Sequence, residues 1–127
     1  MRRSISCFVA VLLMVSGYAL VARAADQKTV EGELVDMKCF AKQGAKGEGH
    51  AACCKKCLTG GVPAGILVEG KAWTIAANSA PLAEYASKTI RITGEVNTDA
   101  QTVVPSKIEV KDGDNWKEIK MDEGHKM

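Results

Sequence analysis

A chain of 127 residues with 46% hydrophobic, 25% charged and only 5% aromatic side chains has the make-up of one small folded domain, which excludes disordered and fibrous classes. Its formal net charge of +2 comes from the N-terminus, because without Arg2, Arg3 and Arg23 there are 14 basic residues against 15 acidic ones, a net charge of −1. That balance argues against a nucleic-acid binder or a protein drawn to anionic membranes.

The chain opens with Arg2 and Arg3, continues with a run from Cys7 to Leu20 that is apolar apart from Ser16 and Gly17, and reaches an A-x-A site at Ala22-Arg23-Ala24. This pattern predicts a secretory signal peptide over 1–24, cut before Ala25. The apolar run falls short of the roughly 20 residues of a spanning helix. Cys7 lies at its front, where a lipobox cysteine cannot be. The expectation is an exported protein, periplasmic or extracellular, with no membrane attachment after cleavage. The mature chain would form a single domain over 25–120, with an insertion at 38–61 and a disordered polar tail over 121–127.

Within that domain strand signals dominate. Thr29 to Met37 alternates with Val30, Gly32 and Leu34 on one face. Between Thr59 and the middle of the chain, Ile66 to Val68 and Ala72 to Ile75 flank Glu69-Gly70-Lys71, a hairpin turn in which Gly supplies the positive φ. Ser79 is placed to cap a short helix through Ser87, with Pro81 in its first turn. Thr89 to Val96 turns Ile90, Ile92, Gly94 and Val96 inward. Thr102 to Lys111 turns Ile108 and Val110 inward against Lys107, Glu109 and Lys111, and Trp116 and Ile119 extend this last element or cover one end of the core. The order predicts a mainly β fold, a five-stranded OB-type barrel (β-β-β-α-β-β), with a Cys/His-bearing helical insertion after strand 1. A small β-sandwich is the alternative, because alternation does not report closure.

The insertion concentrates the reactive chemistry: Cys39, His50, Cys53, Cys54 and Cys57 fall within nineteen residues. Gly49 to Leu58 reads as a helix ending at Gly60-Gly61, preceded by a mobile Gly/Lys-rich loop from Gln43 to Gly49. At about 100° per residue, His50, Cys53, Cys54 and Cys57 share an arc of about 100°. Cys39, at the end of the first strand, would close on that face. Three thiolates and an imidazole suit zinc or copper(I), and Lys38, Lys55 and Lys56 nearby would lower the thiol pKa values. Asp36 is either a carboxylate orienting His50 or a plain strand-end residue.

Two other readings stand beside metal binding. In one, disulfides staple the insertion, making the protein a structural or interaction module with an unknown exported partner. Helical spacing resists pairing all four sulfurs, since Cβ atoms at i and i+4 are about 5–6 Å apart and a disulfide wants about 3.8 Å. In the other, Cys54-Lys55-Lys56-Cys57 exchanges thiols and disulfides, although no βαβ pattern accompanies it. Covalent haem attachment is excluded by Leu58 after Cys57. A soft-metal tail of Met121, His125 and Met127 is outweighed by a solvated C-terminus, and Trp73 and Trp116 read as core rather than as a stacking platform. There is no Ser/His/Asp arrangement, phosphate loop or carboxylate pair, so the expectation is a protein that is not an enzyme and binds no nucleic acid.

The runs G32-E-L-V-D-M-K-C-F, H50-A-A-C-C-K-K-C, G61-V-P-A-G-I-L and L82-A-E-Y-A-S-K-T-I-R-I-T-G together resemble a group of small exported bacterial OB-fold-like proteins of uncharacterised function. Their pattern is V-D-x-x-C-[FY], then H-x-x-C-x-x-x-C, then G-x-P, and the resemblance spans roughly residues 30 to 110. It implies a shared site at Cys39, His50, Cys53 and Cys57, and no established activity. Cys54 departs from the pattern and is carried as a substitute ligand.

Overall fold

The computed structural model describes residues 27–121. The expected signal peptide and residues 122–127 of the expected tail lie outside the described residues. Met121, assigned to that tail, packs against the core instead.

The first strand, β1 (Gln27–Asp36), is long enough to serve two neighbours. Gln27 to Glu33 pairs antiparallel with β4 (Thr89–Asn97), and Glu33 to Asp36 pairs antiparallel with β2 (Ala64–Val68). Gly32 sits beside this change of partner, and a Cβ there would run into the backbone carbonyl of Leu67. The absent side chain is what lets the strands approach. β2 turns into β3 (Lys71–Ile75) through Glu69 and Gly70, at φ 48° and 80°. Both central residues are left-handed, as a type I′ turn requires, so Gly70 is not alone in supplying a positive φ.

Closure comes from β5 (Thr102–Asp112). It pairs antiparallel with β4 and, at Thr102 and Val103, parallel with Thr74 and Ile75 of β3. The ring β1-β2-β3-β5-β4 is a closed five-stranded barrel of OB type, as the element order predicts. The β4–β5 register shifts between Thr93 and Gly94, opposite Pro105, where a bulge tolerates a residue without an N–H. A sixth strand, β6 (Asn115–Glu118), extends the sheet beyond β5.

Leu34, Ile66, Ile75, Leu82, Ile90, Ile92, Val103 and Ile108 fill the interior, each at most 2% exposed. Each such side chain contributes about 1.5–3 kcal/mol by leaving water. Ile119 joins this core. Trp116 instead lies on the outer surface, its ring centroid 4.3 Å from the Arg91 guanidinium. Glu109, expected to face solvent, is only 7% exposed there, paired with Arg91 and Lys107 at 2.9 Å each.

The segment expected to be a helix from Ser79 is a 3-10 helix, Ala80–Tyr85. Ser79 does not cap it. Its hydroxyl donates to the Leu58 carbonyl at 3.2 Å, while Asn78 Oδ1 accepts from the Ala80 N–H at 3.2 Å. A buried carbonyl at the end of the insertion competes for Ser79 and wins.

Candidate metal centre

The insertion holds two helices where one was expected. The first, α1 (Met37–Gln43), carries Cys39, which therefore stands in a helical turn and not at a strand end. Asp36 provides the N-cap. Its backbone is extended and its Oδ1 accepts the Cys39 N–H at 2.8 Å. Gly44, at φ 64°, closes the helix by donating to the Phe40 carbonyl at 2.7 Å. The sequence signal was an Asp cap and a Gly stop bracketing seven residues. It was missed because α1 buries none of its own residues and shows no apolar period.

The loop between the helices is tethered, not free: the Gly47 N–H donates to Glu33 Oε1, and the His50 N–H to the Gly47 carbonyl at 3.0 Å. A 3-10 turn, Glu48–His50, leads into the second helix, α2 (Ala51–Thr59). His50 is thus the residue before the helix, outside the regular turn on which its angular position was reckoned.

α2 has two working faces. Cys54 and Leu58, four apart, are both fully buried and belong to the barrel core. Cys53 and Cys57, also four apart, face α1, with Cys53 exposed and Cys57 half-buried. Cys54, expected as a possible substitute ligand, thus lies in the core and outside both groups described below. The arc of about 100° that gathered all four side chains spans both the core side and the α1 side of this helix.

The structure brings together Cys39, His50 and Cys53, whose ligand atoms lie within 4.8 Å of one another. Asp36, Cys39 and Cys57 form a second group of the same size, so Cys39 belongs to both. Donors about 2.0–2.3 Å from a tetrahedral zinc ion stand roughly 3.3–3.8 Å apart, so modest side-chain movement would suffice for a shared ion.

Asp36 organises both groups. It is completely buried, and its Oδ2 lies 2.9 Å from His50 Nε2. Burial alone would raise its pKa, but the Cys39 N–H, the His50 ring and the Cys39 thiol outweigh that and hold it below the ordinary value of 3.8. An ionised carboxylate only accepts hydrogen bonds, so Nε2 is assigned the proton and Nδ1 keeps its lone pair. A carboxylate that fixes a histidine tautomer this way is the usual companion of a metal-bound imidazole.

The thiols behave in the opposite sense to the one expected from nearby lysines. Burial, then the Asp36 carboxylate, pushes Cys39 up to about 12. Burial and Asp36 likewise raise Cys57, and they push Cys54 to about 11. Lys38, Lys55 and Lys56 are exposed, and Lys55 pairs with Glu84 at 2.9 Å, on the side of α2 away from the site. Cys39, Cys53, Cys54 and Cys57 are all free thiols. This Cys/His group can hold a metal ion. No protein-family model, curated protein or solved structure matches this chain.

Proposed function

We propose that this protein is an exported, non-enzymatic OB-type domain that binds zinc or copper(I). Cys39, His50 and Cys53 would be the ligands, with Cys57 as the fourth. The observation that carries the reading is the fully buried Asp36, which holds His50 Nε2 and the Cys39 N–H at the same time. These two bonds offset the cost of burying the carboxylate and orient the imidazole as a carboxylate does beside a metal-bound histidine. The pattern shared with small exported bacterial proteins falls on these same four residues, and we place the chain among them on that basis.

The raised thiol pKa values weigh against thiol exchange as the main activity, because a nucleophilic cysteine needs its thiolate near neutral pH. A metal ion can displace such protons where the solvent does not. Binding should therefore release about two to three protons per ion and tighten as pH rises. The partner is the metal ion, or an exported protein that exchanges it. The mature charge of −1 favours no nucleic-acid ligand.

The test is a titration of protein purified under reducing conditions with Zn²⁺ or Cu⁺ against a competing chelator. One equivalent bound, weakened in both His50→Ala and Cys53→Ser, supports the reading. Binding no tighter than micromolar by the unaltered protein would sink it.

A further inference from the structure

Cys39 is the one thiol common to both ligand groups, and it sits on a different helix from its two sulfur neighbours. We infer that oxidation joins Cys39 of α1 to Cys53 of α2, and that this bridge shuts the metal site. The consequence for metal rests on the proposed function above, whereas the bridge itself does not.

Two observations favour this pair. The Cys39 and Cys53 sulfurs already lie within 4.8 Å of each other and of His50. Cys53 is the exposed thiol, so it is the one a soluble oxidant meets first. The other pairs are poorer placed. Cys39 and Cys57 share the second group within the same 4.8 Å, but Cys57 is half-buried and is not the sulfur a soluble oxidant caps first. Cys53 and Cys57 share one helix at i and i+4, with Cβ atoms about 5–6 Å apart, against about 3.8 Å in a disulfide. Cys54 is sealed in the core.

The oxidant is a low-molecular-weight disulfide. The Cys53 thiolate attacks one of its sulfurs, forming a mixed disulfide and releasing one small thiolate, which takes the proton given up by Cys53. Cys39 then passes its proton to the second small thiolate as its sulfur attacks Cys53 and expels that thiolate, a slow step because burial and the Asp36 carboxylate favour the protonated Cys39 thiol. Two protein thiols are oxidised by two electrons in total, and one small disulfide is reduced to two thiols. The His50 group then loses both of its sulfurs, and the Asp36 group loses Cys39. Of the four proposed ligands, only Cys57 and the imidazole would remain.

The purified protein is incubated with oxidised glutathione, remaining thiols are alkylated, and the linkage is mapped by mass spectrometry. Zinc titrations are run in parallel on the reduced and oxidised forms. The expected result is a Cys39–Cys53 bridge, zinc binding weakened by more than about tenfold, and recovery on adding a thiol reductant. Cys39→Ser should stop at a glutathione adduct on Cys53, while Cys57→Ser should still bridge. A bridge from Cys39 to Cys57, an intermolecular dimer, a persistent adduct in the unaltered protein or no oxidation would each overturn the inference. A reduced protein that takes no zinc would instead remove the metal reading, and the gating with it, even with the bridge mapped as expected.

Discussion

In the barrel wall, continuous backbone pairing and a packed core of Ile, Leu and Val fix every strand. In the insertion over residues 37–61, a single buried carboxylate takes over much of that task. Asp36 caps α1 and holds His50 ahead of α2, while Cys54 and Leu58 pin α2 to the barrel. Apolar packing resists change without regard to chemistry. A hydrogen-bonded charge, by contrast, makes its surroundings sensitive to protons and to metal. The molecule thus places its chemistry on the part held by polar bonds and leaves the rest to packing.

Gly32→Val should have the largest effect and fall on the barrel. The new Cβ would meet the Leu67 carbonyl, backbone that cannot move aside, so a loss of about 3 kcal/mol or more is expected. Urea unfolding followed by far-UV circular dichroism measures it. Unchanged stability would mean that β1 and β2 do not approach as described.

Asp36→Ala comes next and should strike the insertion. Loss of the α1 cap costs about 1–2 kcal/mol, and a misdirected His50 should weaken zinc binding roughly 10–100-fold. Asp36→Asn separates the two roles. Its amide oxygen can still accept the Cys39 N–H, but its NH₂ group would favour the other histidine tautomer. The cap should survive while affinity falls.

Neighbouring cysteines sharpen the contrast between core and site. Cys54→Ala should lower stability by about 1 kcal/mol and leave one zinc bound per chain. Cys53→Ser should change stability by less than about 0.5 kcal/mol and lose zinc affinity. Denaturation paired with chelator competition on both variants reads the exchange of effects, and a reversal would invert the assigned faces of α2.

The smallest effects are expected from pH on the metal-free protein, at opposite ends of the scale. Glu109 is held below 4.5 by Lys107 first and then Arg91, against its own burial. Its contribution is present above 4.5 and fades as pH falls through the lower folded value. Cys39 is raised from 9.0 to about 12, so the insertion's preference for the protonated thiol is complete below 9.0 and is lost as pH rises toward about 12. Stability measured from pH 3 to 11 should therefore decline at both ends. Glu109→Gln should reduce the acidic slope, leaving the share of Asp36, and Cys39→Ser the alkaline slope, leaving the shares of Cys54 and Cys57.

Much of the barrel was legible in the residues alone. The alternation in 89–96 and 102–111, the Glu69-Gly70 turn and the short helix before β4 specify an OB-type order, because strand period and turn chemistry are local properties. The spacing of Cys39, His50, Cys53 and Cys57 marked a site for the same reason. The tertiary structure alone decided which face of α2 enters the core. That choice depends on what the barrel offers Leu58, and it placed Cys54 in the core, outside both candidate groups. It alone decided that Asp36 is buried against His50 fourteen residues away, that α1 exists without an apolar face, and that Glu109 lies beneath Arg91 and Lys107. Each depends on a contact between distant segments, and local pattern carries no record of which distant partner will be there.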